Sequence, residues 1–186
     1  MSNAEYTLHT RRQKLVDVLL FFHHRRTRAI LVNLAKSLAS PLGIVLEIGS
    51  GAKSRKTLFS MSTFISTDLV RGDTVDILQT AAHLSFRDQT AQLVLCENVL
   101  EHVFEPERVI QEIHRVLCRD GLLFLVTPFL FPLHDAPHDF FRYTEYSLRR
   151  LLRDFSEMTL YKILWLPWPK PVFGRFVLYY IAIAKR

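Results

Sequence analysis

Short apolar runs that end at a glycine or an acidic residue alternate with helical patterns through the middle of the chain. Residues 44–48 form a β-rich run that stops abruptly at Gly49, and this run predicts a fully buried strand. Further strands are predicted at residues 64–68, 74–78, 92–96 and 122–126. The C-terminal part predicts two more strands, at residues 159–165 and 176–184, joined by a proline-rich loop.

Helical periodicity appears in three places. Residues 107–117 place Val109, Ile110 and Ile113 on one face, and Asp120-Gly121 is predicted to close this helix. Thr144 is predicted to cap a helix that runs through about Asp154. Residues 8–40 also have helical spacing, with a predicted break around the His-Arg cluster at 23–28.

This order of elements predicts an α/β fold with an open, mostly parallel sheet and an antiparallel hairpin at its end. The chain has 186 residues and no internal repeat or low-complexity linker, so a single structural domain is expected. Within it, residues 1–40 are predicted to form a helical extension that packs on the core at 41–186.

Composition narrows the class of protein. The chain is 49% hydrophobic and 23% charged, which is typical of a globular protein, and its longest apolar stretches (15–22 and 176–184) are too short to span a bilayer. No secretory signal is visible. Cys96 and Cys118 are too few for a disulfide framework and lack metal-ligand spacing, so a cytoplasmic setting is expected and Cys96 is predicted to be a buried free thiol.

The net charge of +6 is concentrated at residues 11–14 and 23–28. Such clusters attract nucleic acid or anionic lipid, and they are also typical of a solvated helix face. The tryptophan-rich segment 165–168 is a second feature that suits a membrane surface.

The turn after the first predicted strand points to a bound ligand. In an open α/β sheet, ligands bind at the carboxyl ends of the strands, and Gly49 and Gly51 permit close approach there. Asp68 ends the second strand 21 residues after Glu47, which suits a carboxylate that holds ribose hydroxyls. A dinucleotide is disfavoured because Ser54 replaces the third glycine and Glu47 would repel a pyrophosphate. A sulfonium and an α-ammonium would instead be attracted by Glu47.

These motifs resemble those of class I S-adenosylmethionine-dependent methyltransferases of the type 11 subgroup. Residues 46–51 are similar to the first motif of that family, and Asp68 matches its ribose-binding acid. Residues 95–103 resemble the family's fourth strand and the turn after it, and residues 116–123 resemble its turn into the fifth strand.

The resemblance implies a Rossmann-like, seven-stranded sheet with helices on both faces and S-adenosylmethionine as cofactor. It assigns cofactor binding to Glu47, Gly49, Ser50, Gly51, Asp68, Leu69, Thr80, Ala81, Leu84, Glu97, Asn98 and His102. One position departs from the family: Thr80-Ala81 stands where an acid-alanine pair contacts the adenine amine. A domain that keeps the sheet but has lost activity is therefore an alternative.

The densest polar cluster of the chain, residues 132–144, directly follows the fifth predicted strand. His134 and His138 are candidates for a catalytic base, although the catalytic residue is not identified. The predicted substrate-binding residues are His134, His138, Asp139, Arg142 and Tyr143. Alternatively, Asp139 and Arg142 pair only to hold the loop. His134, Asp135, His138 and Asp139 are potential metal ligands, but Pro137 interrupts the loop, so their spacing does not establish that they converge. No metal is therefore predicted.

The sequence thus predicts methyl transfer from S-adenosylmethionine to a small-molecule acceptor, with an oxygen atom as the expected site of methylation. A general base is needed only where the acceptor must lose a proton, as a hydroxyl must. An RNA-associated methyltransferase or nucleic-acid-binding protein that uses the basic N-terminal helices is the other candidate function. Against base methylation, Glu97-Asn98-Val99-Leu100 replaces the "N-P-P-Y" type of motif after the fourth strand. The oligomeric state and the identity of the acceptor are not predicted.

Overall fold

The computed structural model of the chain describes residues 25–34, 43–52, 54–165 and 176–186. Three α-helices are described: α1 (25–34), α2 (Pro106–Val116) and α3 (Glu145–Leu151). The seven strands are β1 (Ile44–Ile48), β2 (Thr63–Asp68), β3 (Ile77–Leu78), β4 (Ala91–Glu97), β5 (Leu117–Pro128), β6 (Glu157–Trp165) and β7 (Phe176–Lys185).

The strands form one sheet in the order β3-β2-β1-β4-β5-β7-β6. Strand β1 pairs in parallel with β2 on one side and with β4 on the other, so the strand order reverses between these two neighbours. Strand β7 runs antiparallel to both β5 and β6. This arrangement confirms the predicted Rossmann-like sheet and its C-terminal hairpin, and it places the switch point, where ligands bind, at the carboxyl ends of β1 and β4.

Alternate residues of the central strands support two separate cores. Leu46 of β1 and Val94 of β4 belong to the cluster that includes the buried face of α2 and Leu148 of α3. Val45 and Leu93, one position earlier in each strand, belong to the opposite cluster, which includes Leu31 of α1. Because side chains alternate across a strand, the near-continuous apolar runs are explained by burial on both faces.

The structure corrects the predicted end of α2. Helix α2 stops at Val116, and β5 begins at Leu117, five residues before the predicted strand. Asp120 and not Gly121 adopts the left-handed conformation, with φ of 63°. A Cβ on Gly121 would lie 2.9 Å from the Cys118 carbonyl oxygen, so this glycine permits close packing at the bulge between β4 and β5 and does not cap the helix.

Helix α3 begins as predicted and ends early. Thr144 and Ser147 form a reciprocal capping box, but the helix ends at Leu151 and not near Asp154. Helix α1 includes residues 25–28, so the break predicted around the His-Arg cluster does not fall within them. The remainder of the predicted helical region, residues 8–24 and 35–40, lies outside the described residues, as does the loop 166–175.

Two smaller predictions concern burial. Cys96 is a fully buried free thiol, as predicted, and burial raises its pKa. The predicted apolar run at 176–184 is strand β7. Among the described helices, none combines the length and hydropathy needed to cross a bilayer.

Candidate functional site

The glycine turn lies at the carboxyl end of β1. Gly49 and Gly51 both have positive φ, 68° and 52°, and the backbone N–H groups of Gly49 and Ser50 donate to the Thr67 carbonyl at the end of β2. A Cβ on Gly49 would lie 2.3 Å from Cγ2 of Val99, whereas a Cβ on Gly51 would meet no atom of the described residues within 4 Å. The turn therefore needs glycine for different reasons at the two positions, and it leaves open space beside Gly51.

Two carboxylates and one guanidinium lie beside this turn. Glu47 is buried, and its Oε1 accepts a hydrogen bond from the Arg55 backbone N–H at 2.9 Å. The Arg55 side chain donates to both carboxylate oxygens of Glu97 at 2.8 and 2.9 Å. Burial raises the pKa of Glu47, while the pKa of Arg55 is raised by its hydrogen bonds to Glu97. The three groups carry a net charge of −1 when all are ionised, so the turn retains attraction for a cation.

Asp68, the last residue of β2, stabilises the glycine turn by accepting hydrogen bonds. Its carboxylate accepts hydrogen bonds from the N–H groups of Gly51 at 2.9 Å and Val70 at 3.0 Å, one to each oxygen. Each carboxylate oxygen has a second lone pair, so these contacts leave acceptor capacity for ligand hydroxyls. Leu69 follows directly and is 71% exposed.

The segment predicted to flank adenine is held by α2. Ala81 and Leu84 are buried and Thr80 is exposed. The Leu84 N–H donates to Glu112 of α2 at 2.9 Å, and Arg115 donates to the carbonyl oxygens of Leu84 and Phe86. These bonds position the backbone of this segment without the acid that the family places at Thr80.

A short 3-10 helix, Leu100–His102, follows β4 and contacts the loop after β5. Asn98 precedes it with a positive φ of 54° and donates its N–H to the Val126 carbonyl. The Glu101 carbonyl accepts from the N–H groups of Phe140 and Phe141, and the hydroxyl of Tyr143 donates to the Leu100 carbonyl at 3.0 Å. Nδ1 of His102 donates to the His138 carbonyl oxygen, 2.7 Å away, so this side chain contacts the loop.

The loop of residues 129–144 is named the acceptor loop after the substrate role that the sequence predicts for it, and one ion pair organises it. Arg142 donates to both oxygens of Asp139, at 2.5 and 2.7 Å, and also to the carbonyl groups of Phe141 and Pro132. The pairing holds the pKa of the Asp139 carboxyl well below its usual range. The alternative in which these residues fix the loop accounts for their contacts, and the buried Tyr143 likewise serves as an anchor.

Behind this loop, titratable groups converge. The rings of His102 and His134 meet edge to face with centroids 4.8 Å apart, and Nε2 of His102 lies 3.8 Å from Oε1 of Glu101. The Glu101 side chain is 0% exposed. Burial raises its pKa to about 8, an effect that its own backbone N–H and the charge of Arg142 offset in part. His138 is exposed and contributes its carbonyl here.

The structure thus brings the predicted residues together as two neighbouring groups. Glu47, Gly49, Gly51, Asp68 and Glu97 surround the glycine turn, and His102 joins His134 and Asp139 at the acceptor loop. Arg55 and Glu101 were not predicted as site residues. Neither carries a distinctive spacing signal, although Glu101 does fall within the family-like segment 95–103.

Comparison with known proteins agrees with this geometry. Residues 47–125 match the type 11 "Methyltransferase domain" family model. No curated protein sequence matches the chain.

Several solved structures share the fold. The 1,6-didemethyltoxoflavin-N1-methyltransferase of Burkholderia thailandensis, with 1,6-didemethyltoxoflavin and S-adenosylhomocysteine bound, is 19% identical, with a TM-score of 0.67 over 100% of this chain and 91% of that one. The YcgJ protein of Bacillus subtilis is 13% identical, with a TM-score of 0.64 over 88% and 99% of the two chains. A SAM-dependent methyltransferase from Archaeoglobus fulgidus is 13% identical, with a TM-score of 0.63 over 91% and 99%.

The sheet order and the glycine turn at its switch point define a class I methyltransferase fold. Over the matched segment, residues 47–125, the chain is similar to the type 11 methyltransferase domain, and S-adenosylmethionine is the cofactor that this similarity implies.

The residues present fit this cofactor. Oε2 of Glu47 is buried and has no hydrogen-bond partner among the described residues, which suits an ammonium donor. The open space at Gly51 and the spare lone pairs of Asp68 suit a ribose. Arg55 adds a cation beside Glu97, in a position that suits the α-carboxylate of the cofactor.

Proposed function

We propose that this chain transfers the methyl group of S-adenosylmethionine to an oxygen atom of a small-molecule acceptor. The observation that carries the proposal is the cluster of His102, His134 and buried Glu101 behind the acceptor loop. A hydroxyl acceptor must lose its proton on methylation, so a cluster of groups that stabilise or accept a proton favours oxygen chemistry.

When bound, S-adenosylmethionine would supply a methyl group on a positively charged sulfur, with the sulfur as the leaving group when the acceptor oxygen bonds to the methyl carbon. Glu47 and the Arg55–Glu97 pair would hold its amino-acid part, Asp68 its ribose, and the segment 80–84 its adenine. Positioning the acceptor at about 3 Å behind the methyl group would supply much of the acceleration.

The acceptor loop supports a small acceptor. Arg142, near the end of this loop, donates to the Pro132 carbonyl near its start, so the loop folds back on itself. Apolar side chains such as Leu130 and Leu133 are exposed on it, so it offers an apolar wall next to the polar cluster. The Burkholderia thailandensis methyltransferase, which has a similar fold, holds the small molecule 1,6-didemethyltoxoflavin.

The test uses the full chain and a panel of small acceptors that carry a hydroxyl, a carboxyl or an amine. Release of S-adenosylhomocysteine is measured for each acceptor, and binding of S-adenosylmethionine is measured by calorimetry. We expect turnover of a hydroxyl acceptor, and we expect His134→Gln to lower kcat by about 10²-fold while cofactor affinity is retained.

His114→Gln is the matched control, because His114 lies on α2 against the ring of Phe155 and does not belong to the cluster of Glu101, His102 and His134. This variant should keep full activity. Turnover of amines or RNA alone would contradict the oxygen-directed proposal, and no affinity for S-adenosylmethionine or S-adenosylhomocysteine would contradict cofactor binding itself.

A further inference from the structure

Three potential metal ligands converge on one point behind the acceptor loop. Glu101, His102 and His134 each offer a ligand atom, and these atoms lie within 4.8 Å of one another. The proposed methyl transfer uses this cluster only to stabilise or accept a proton, which does not by itself require three potential ligand atoms to converge. The cluster joins the turn after β4 to the loop after β5, so tertiary structure creates it.

Glu101 is the most unusual member of the cluster. Its side chain is 0% exposed, and neither carboxylate oxygen accepts a hydrogen bond from another of the described residues. A buried carboxylate without partners is costly, because nothing replaces the water that it loses on folding. Buried charges of this kind are normally paired or coordinate a metal.

Hydrogen bonds give both imidazoles the protonation pattern of metal-binding histidines. Nδ1 of His102 lies 2.7 Å from the His138 carbonyl oxygen, which can only accept, so Nδ1 carries the proton and Nε2 presents a lone pair. Nδ1 of His134 lies 3.2 Å from both the Pro132 carbonyl oxygen and Oδ2 of Asp139. Both of these oxygens accept, so Nδ1 of His134 also carries the proton and Nε2 has the lone pair.

The surrounding residues hold this arrangement in place. Asp139 accepts from Arg142 through both oxygens while Oδ2 faces His134. A carboxylate that binds the outer nitrogen of a ligating histidine fixes its ring and raises its basicity. A backbone carbonyl does the same for His102.

The spacing is close to that of a coordinated ion. Nε2 of His102 lies 3.8 Å from Oε1 of Glu101 and 3.9 Å from Oδ2 of Asp135. Ligands held at about 2.1 Å around a tetrahedral ion lie roughly 3.4 Å apart, so small inward movements suffice. Asp135 is exposed and stands at the open side of the cluster.

We propose that Glu101, His102 and His134 bind one divalent transition-metal ion, with Asp135 or water at a further position. Two imidazoles and one carboxylate suit zinc and its first-row neighbours better than magnesium or calcium. An ion with an open position binds the oxygen of a hydroxyl or carboxylate, which would hold the acceptor; this role, unlike the site itself, rests on the proposed function.

The test measures metal binding without any turnover. The full chain is stripped with a chelator and titrated with Co²⁺, whose visible absorption reports its coordination, and with Zn²⁺ by calorimetry. We expect one ion per chain at this site, with at least a tenfold loss of affinity in Glu101→Gln and in His134→Gln. Asp139→Asn, which changes no ligand, should weaken binding about tenfold.

His114→Gln, with a histidine outside the cluster, should bind as the wild type does. The double variant His23→Gln, His24→Gln lacks two adjacent histidines that could bind Co²⁺ independently of the proposed site. It should leave the cobalt spectrum unchanged. Thermal melting of each variant checks that it folds. A cobalt spectrum and affinity that are the same in the wild type, Glu101→Gln and His134→Gln would overturn the proposal. Calorimetry with S-adenosylmethionine on the same samples tests the methyltransferase assignment separately.

Discussion

At the scale of single residues, the turn after β1 requires glycine at two positions for different reasons. Gly49 and Gly51 both have positive φ, which costs about 1 kcal/mol or more for a residue with a Cβ. Only Gly49 also lies against a neighbour, because Val99 fills the space that its Cβ would need. The space beside Gly51 stays open, and this is the space that the cofactor fit uses.

We therefore expect Gly49→Ala to destabilise the fold more than Gly51→Ala. The second substitution should cost about 1–2 kcal/mol of unfolding free energy from backbone strain alone, and the first about 2–4 kcal/mol because it adds the contact with Val99. Urea denaturation of both variants measures the difference. Equal losses would show that the Val99 contact relaxes freely. Gly72→Ala serves as a control, since Gly72 has neither positive φ nor a contact closer than 3.6 Å.

At the scale of elements, α2 stabilises a segment that has little regular structure. Glu112 accepts from Arg115 and from the Leu84 N–H, while Arg115 reaches the Asp88 carboxylate. These bonds tie α2 to residues 84–88, which form the return from β3 to β4. The interaction lowers the pKa of Glu112 to about 2.

This pKa shift predicts how stability depends on pH. Because the pKa of Glu112 is lower in the folded state than in the unfolded state, its contribution is present above pH 5 and is lost as the pH falls towards 2. After allowance for solvent screening we expect about 2 kcal/mol at neutral pH.

Glu112→Gln should therefore lower the free energy of unfolding at pH 6, and its difference from the wild type should shrink by pH 3. Urea denaturation at the two pH values checks this. Glu105→Gln, an exposed acid just before α2, is the matched control and should show little difference at either pH. A constant difference for Glu112→Gln across this range would contradict the assignment.

At the scale of the whole molecule, the sheet places the glycine turn and the acceptor loop at the same edge. The glycine turn follows the carboxyl end of β1, and the acceptor loop follows that of β5. Strand β4 lies between these two parallel strands. A cofactor that spans β2, β1 and β4 binds only the folded chain, so its binding stabilises the molecule as a whole.

We expect S-adenosylmethionine at 100 times its Kd to add about 2.7 kcal/mol and to raise Tm by roughly 5–10 °C. S-adenosylhomocysteine should act similarly. NAD at the same concentration should have no effect, because Ser54 replaces the third glycine and Glu47 opposes a pyrophosphate. A thermal shift assay measures all three. A shift with NAD alone would contradict the cofactor assignment, and no shift with any of them would favour the degenerate domain.

Much of the group of residues around the glycine turn was predictable from local sequence. Runs such as 44–48 are apolar on both faces, so strand type and burial followed from composition alone. Gly49, Gly51 and Asp68 stand at strand ends, where their chemistry is set by local geometry. The capping box at Thr144 is likewise a local signal, although the point where α3 ends depends on packing.

The remainder was decided by tertiary structure, for two physical reasons. Hydrogen bonding across the bulge between β4 and β5 extended β5 back to Leu117, which periodicity could not show. The other reason is distance in sequence: Arg55 meets Glu97 across 42 positions, and His134 meets Glu101 and His102 only because β4 and β5 are neighbours. The sequence by itself predicted the sheet and, through a family resemblance, the kind of cofactor. Only the fold decided which charges share one site, because that depends on which strand ends lie side by side.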